Sequence, residues 1–117
     1  MDTPTLQKAV ATYAEAFEKA DLGMIRSLYA ADATVEDPVG TEPRQGIDAI
    51  LEFYKSAFDM GVKLQLDGKP RCAGNTVAFN FHVIIGDMKI SPIDVFELNA
   101  DGKVQSMKAY WGPENIG

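Results

Sequence analysis

The run Val77-Ala78-Phe79-Asn80-Phe81-His82-Val83-Ile84-Ile85 decides the fold class. Val77, Phe79, Phe81, Val83 and Ile85 recur at every second position, so they share one face of a β-strand. Gly74-Asn75 just before the run is a turn signal. Upstream, Val62, Leu64 and Leu66 alternate in the same way and lead into Asp67-Gly68. Downstream, Gly86-Asp87 precedes a third segment, 89–98, and Asp101-Gly102 precedes a fourth, 103–111. The last half of the chain therefore reads as an antiparallel meander.

Before residue 62 the period is near 3.6 instead. Leu6, Val10, Tyr13 and Phe17 are spaced four, three and four apart, which puts them on one helix face. Thr3 before Pro4 suits an N-cap followed by proline in the first turn. A second, short helix starts at a capping Asp21 and buries Leu22, Ile25, Leu28 and Tyr29. Ala33-Thr34-Val35-Glu36-Asp37 reads as a brief strand, with Pro38 biasing Asp37 toward extended backbone. Residues 39–46, with Gly40, Pro43 and Gly46, read as loop. A third helix over 47–58 turns Ile47, Ile50, Leu51, Tyr54 and Phe58 inward. Helices first and strands after is an α+β pattern: a curved sheet with helices on one face and room for a pocket between them.

At 117 residues the chain has the length of one domain, which typically runs to roughly 100–150 residues. It shows no internal repeat or linker, and residues 1–117 are expected to form a single domain. Its 11 Lys and Arg against 17 Asp and Glu give a net charge of −6. That balance disfavours nucleic acid or an anionic membrane as partner, since phosphate contacts need a basic surface. No apolar run approaches the roughly 20 residues of a membrane span. The start MDTPTLQKAV has no basic region leading into an apolar stretch, so no signal peptide and a cytoplasmic location are expected. Lone Cys72 and lone His82 offer no metal cluster.

Three residues stand out for chemistry. Asp94 shares its strand face with Ile90, Pro92, Phe96 and Leu98, an apolar setting that disfavours the ionised carboxyl and raises its pKa. On pattern alone, a strand-edge aspartate reaching solvent is the other reading. Asp37 and its neighbour Glu36 face opposite ways in a strand, so one of them can enter a pocket; a simple Asp-Pro turn is the plainer alternative. Tyr13 lies on the inner face of the first helix, where its hydroxyl needs a partner. A core tyrosine bonded to a backbone carbonyl would satisfy the same pattern. His82 falls on the Asn80 and Ile84 side of its strand and reads as a surface residue, and Cys72 as a buried small hydrophobe. Met107 and Trp111, four apart on one strand face, are either core or pocket wall.

Taken together, Tyr13, the stretch Leu28-Tyr29-Ala30-Ala31-Asp32-Ala33-Thr34-Val35-Glu36-Asp37-Pro38-Val39-Gly40, the triplet Pro92-Ile93-Asp94 and the ending Met107-Lys108-Ala109-Tyr110-Trp111-Gly112-Pro113-Glu114-Asn115 resemble bacterial ketosteroid isomerase. Glu52-Phe53-Tyr54 fits as well, and the likeness covers essentially the whole chain. The resemblance implies the cone-shaped α+β barrel shared with nuclear transport factor 2, with three N-terminal helices over a curved mixed or antiparallel sheet, usually as a homodimer. It implies isomerisation of 3-oxo-Δ5-steroids to 3-oxo-Δ4-steroids with no cofactor and no metal. Asp37 matches the general base that moves a proton from C4 to C6, and Tyr13 and Asp94 match the two donors of the oxyanion hole. Tyr54, with Tyr29, would extend a hydroxyl network behind Tyr13. Phe17, Phe53, Phe81, Val83, Met107 and Trp111 match the apolar wall around the steroid. A cis Asp37–Pro38 bond is a further expectation.

The chemistry suits these roles. Removing a proton beside a ketone places negative charge on oxygen, and preorganised donors there stabilise it. An ionised Asp94 would repel that enolate, whereas a neutral one donates to it; the resembled family is itself the known case of a carboxylic acid kept neutral by an apolar site. Two other readings share the fold. A cyclase or epoxide hydrolase would want a pocket His–Asp pair or an Asp–Arg–Asp set, and Arg26, Arg44 and Arg71 fall in helical, loop and strand-end contexts. A steroid- or lipid-binding module would have no need of Asp37, Tyr13 and Asp94 together.

Overall fold

The computed structural model describes residues 1–117. Helix α1 spans Thr3–Lys19 and buries Leu6, Val10, Tyr13 and Phe17, the four residues that the spacing put on one face. Its N-cap is Asp2, one residue earlier than expected, and the carboxylate accepts from the Thr5 amide. An ionised carboxylate at this end also favours the positive pole of the helix. Ala20 closes the helix in left-handed backbone at φ 49°. Asp21 then caps α2, Leu22–Leu28, by accepting from the Met24 amide at 3.2 Å. Helix α3, Ile47–Asp59, follows Gly46, whose φ of 89° is a conformation that side chains disfavour.

The strands are β1 Tyr29–Glu36, β2 Arg44–Gln45, β3 Lys63–Leu66, β4 Arg71–Ala73, β5 Thr76–Ile85, β6 Met88–Ile90, β7 Ile93–Leu98 and β8 Val104–Tyr110. They form one curved sheet in the order β2-β1-β8-β7-β5-β3, with β4 and β6 also on β5. All pairings are antiparallel except β1 with β8, which makes the sheet mixed. Strand β5 explains the curl. Its first half pairs with β4 and β7, and its second half with β3 and β6. The change of partners at Asn80 and Phe81 bends the sheet around the apolar faces of α1 and α3. The result is a half-open cone whose inner surface faces the helices.

Three sequence expectations need correction. Strand β1 begins at Tyr29, four residues before the expected Ala33, because its ladder comes from the distant strand β8, with Tyr29 beside Val104 and Val35 beside Met107. The segment 89–98 is two strands, because Pro92 supplies no N–H and interrupts the ladder. The loop 39–46 contains β2, so Arg44 sits in a strand rather than a loop. The turn at Gly74-Asn75 and the period-two face of β5 stand as read: Val77, Phe79 and Phe81 are buried.

Candidate active site

Tyr13 is fully buried at the centre of an aromatic cluster, edge-on to Phe96 at 5.2 Å and to Phe79 at 5.8 Å. Those contacts fix the ring and aim the hydroxyl along the inner face of the sheet. The Tyr54 hydroxyl from α3 donates to the Tyr13 hydroxyl at 3.2 Å and shares a 2.6 Å hydrogen bond with Tyr29. Burial pushes all three phenols well above their ordinary value of 10.0, so each remains a protonated donor. The bond from Tyr54 occupies one lone pair of the Tyr13 oxygen and leaves the Tyr13 O–H free to point elsewhere.

Asp94 lies next to this cluster. Strand β7 alternates inward and outward, and Asp94, Phe96 and Leu98 share the buried face. Asp94 is 1% exposed, the single charged-type residue that is buried. Neither of its carboxyl oxygens has a hydrogen-bond partner within the chain. Burial holds its pKa well above the ordinary carboxylate range; the charge of Asp37 raises it further and the nearby Tyr13 hydroxyl offsets part of the rise. A neutral carboxyl group with a free O–H is the state that this setting favours.

Asp37 follows the end of β1 and is half-buried. Its Oδ1 accepts from Trp111 Nε1 at 2.8 Å, and the Asp37–Pro38 peptide is cis. Burial raises its pKa, and the Trp111 hydrogen bond and the Arg44 charge offset only part of the rise. The two carboxyl groups therefore sit in unlike environments, one dry and unpartnered, the other hydrogen-bonded and near a cation. Both values are raised, that of Asp94 well above the ordinary range and that of Asp37 less, and environments that push two carboxyl pKa values apart are the signature of an acid and a base.

These groups meet in a cavity of about 270 Å³ lined by Tyr13, Asp37, Tyr54 and Asp94 and otherwise by apolar side chains. Phe17, Phe53, Phe81, Val83 and Trp111 are on its wall as expected. Met107 is not: it is fully buried beside Val35 and Phe96, because the cavity opens at the Trp111 end of β8 and stops short of Met107. The wall also holds Ala57, Met60, Ile85 and Ile90, none of them among the residues expected around the substrate. Ala57 and Met60 continue the Phe53 face at helical spacing, and Ile85 continues the alternation of Phe81 and Val83, so the signal was there. A larger hollow of about 710 Å³ between α1 and β3 is an open surface groove with none of these groups except Phe17. His82 points away from the cavity and pairs with Asp67 at 2.9 Å, and Cys72 is free and half-buried. No three His, Cys, Asp or Glu side chains converge to hold a metal ion.

The chain matches known proteins along nearly its whole length. Residues 10–107 match the SnoaL-like domain. The chain is 40% identical over 115 residues to a steroid Delta-isomerase from Nocardioides simplex, covering 95% of this chain and 93% of that one. It is 29% identical over 123 residues to the epoxide hydrolase LasB of Streptomyces lasalocidi, covering 96% of this chain but 43% of that protein. The solved structure of SalBIII, an epoxide hydrolase/cyclase-like enzyme of pyran ring formation in the polyether salinomycin, superposes with a TM-score of 0.90 at 31% identity, covering 99% of this chain and 97% of that one. With its three helices, its curled mixed sheet and these matches, the chain belongs to the SnoaL-like domain family and, within that nuclear transport factor 2-like superfamily, to the ketosteroid isomerase family of enzymes.

Proposed function

We propose that this isomerase converts 3-oxo-Δ5-steroids to 3-oxo-Δ4-steroids, and that residues 1–117 act as one domain, paired as a homodimer. The observation that carries the reading is the unpartnered, buried Asp94 carboxyl beside the Tyr13 hydroxyl, across one cavity from a hydrogen-bonded Asp37. The substrate ketone docks with its C3 oxygen against Tyr13 and the neutral Asp94. The Asp37 carboxylate takes a proton from C4, and the electron pair moves onto the C3 oxygen to give a dienolate. Tyr13 and Asp94 hold that charge with donors that need no reorganisation. Asp37, now protonated, returns the proton at C6, and the double bond ends conjugated to the ketone. The raised pKa of Asp37 strengthens it as a base.

Ring closure or epoxide opening is the second reading, favoured by the SalBIII structure. It would use the same neutral Asp94 as acid and Asp37 to activate a hydroxyl or water. The mostly apolar wall gives little to order a water molecule, which favours the isomerase. The test is ultraviolet absorbance of purified protein mixed with 5-androstene-3,17-dione, with no cofactor and a chelator present. Growth of the conjugated-enone band at enzymatic rates is expected. Saturable binding of the steroid without that band would overturn the isomerisation and leave a binding module or a relative with another substrate.

A further inference from the structure

Arg44 is the cation whose charge acts on Asp37, yet its guanidinium forms no ion pair with that carboxylate or any other. Its guanidinium lies over the Phe53 ring, 4.2 Å from the centroid. It takes part in none of the chain's three ion pairs, which are Lys19–Glu15, Lys55–Asp59 and His82–Asp67. Its backbone is fixed opposite Val35 in the β1–β2 ladder, and its side chain is half-buried. A guanidinium carries five N–H donors around its edge. Stacking uses its face and leaves that edge to a group lying alongside.

Phe53, Ala57 and Met60 line the cavity, and the same three side chains line an outer groove whose wall includes Arg44. The two spaces share this wall, of which Met60 is 61% exposed. A rigid four-ring substrate held by its ketone at Tyr13 and Asp94 extends away from them, and Phe53, Ala57 and Met60 form the stretch of wall beside which it would meet Arg44. In a chain of net charge −6, a cation beside the cavity that acts on Asp37 without an ion pair keeps its donors available to an anionic group that reaches it. Glu52 borders the same groove and forms no ion pair with Arg44, so it repels an anion weakly without occupying the cation.

We infer that Arg44 is a specificity-determining residue that receives an anionic group, a carboxylate or sulfate, on the far end of the substrate. The inference rests on the isomerase reading for the direction in which the substrate lies. Arginine suits the task because its planar fork meets either anion with two parallel hydrogen bonds.

The test compares 3-oxo-5-androstene-17β-carboxylate with 5-androstene-3,17-dione as substrates of the wild type, Arg44→Lys and Arg44→Met. Methionine keeps an unbranched stem against Phe53 and removes the charge. The ratio of the two kcat/KM values is the readout, so a general loss of activity cancels. The wild type is expected to favour the carboxylate about five- to tenfold, through KM and less so at high salt. Arg44→Met is expected to abolish the preference and Arg44→Lys to keep part of it. A wild type without preference, or a preference that survives Arg44→Met, overturns the inference. If neither steroid turns over, the isomerase reading fails on its own. The same comparison is then made by binding, with quenching of Trp111, the single tryptophan and a cavity residue, as the signal. Equal affinity of wild type and Arg44→Met for the carboxylate would overturn the role of Arg44 there too.

Discussion

Trp111 and Asp37, 74 residues apart in the chain, are joined by a 2.8 Å hydrogen bond from the indole N–H to the carboxylate. The bond favours the ionised form and opposes the rise that burial causes. Trp111→Phe keeps an aromatic wall and removes the donor, so the Asp37 pKa is expected to climb. The proposed mechanism needs the carboxylate, so the acidic limb of the kcat/KM profile should move to higher pH by up to about one unit. A profile identical to that of the wild type would show that the indole N–H does not tune the base.

Asp37→Asn removes the proposed base and leaves the cavity shape. Turnover should drop by roughly 10²–10⁴-fold while the affinity for a phenolic steroid such as equilenin stays within a few-fold. Tyr13→Phe, in contrast, removes one of the two proposed oxyanion donors and should cost about 10²–10³ in kcat. Steady-state kinetics with an equilibrium binding titration separate the two. Near-normal turnover in Asp37→Asn would sink its assignment as base.

Tyr54 holds two hydroxyls at once, Tyr29 at 2.6 Å and Tyr13 at 3.2 Å. Tyr54→Phe leaves both neighbours one partner short in a buried site. The expected cost is about 1 kcal/mol in urea unfolding, with a loss of turnover smaller than that of Tyr13→Phe. A loss as large as that of Tyr13→Phe would mean that Tyr54 itself meets the substrate oxygen.

Much of this site was legible because local period encodes direction. The spacing of Val10, Tyr13 and Phe17 put the tyrosine inside, and the alternation around Asp94 put a carboxyl among apolar neighbours. What the sequence hid was set by distant pairing. Strand β1 starts at Tyr29 because β8 lies parallel to it, and nothing in Ala30-Ala31-Asp32 announces a strand. Met107 shares a face with Trp111, a pattern that fits core and pocket wall alike; the resemblance alone points to the wall, and where the cavity ends is set by tertiary packing that local spacing does not encode. Arg44 looked like a loop residue because a two-residue strand has too few positions to show a period.

The buried Asp94 makes a last prediction, about stability. Its pKa in the fold lies well above the ordinary 3.8, chiefly from burial. The folded state therefore holds a proton that the unfolded chain releases near the usual carboxylate value. The contribution of Asp94 to stability is fully present below that value and is lost as pH rises toward the folded pKa, by up to about 1.4 kcal/mol per pH unit. Asp94→Asn cannot ionise, so its stability should lack this decline, and its stability relative to the wild type should improve steadily as pH rises from about 4. Urea unfolding of both proteins across that range measures the difference. Parallel stability curves would mean that Asp94 has the same pKa folded and unfolded, and it could not then be the neutral donor that the oxyanion requires.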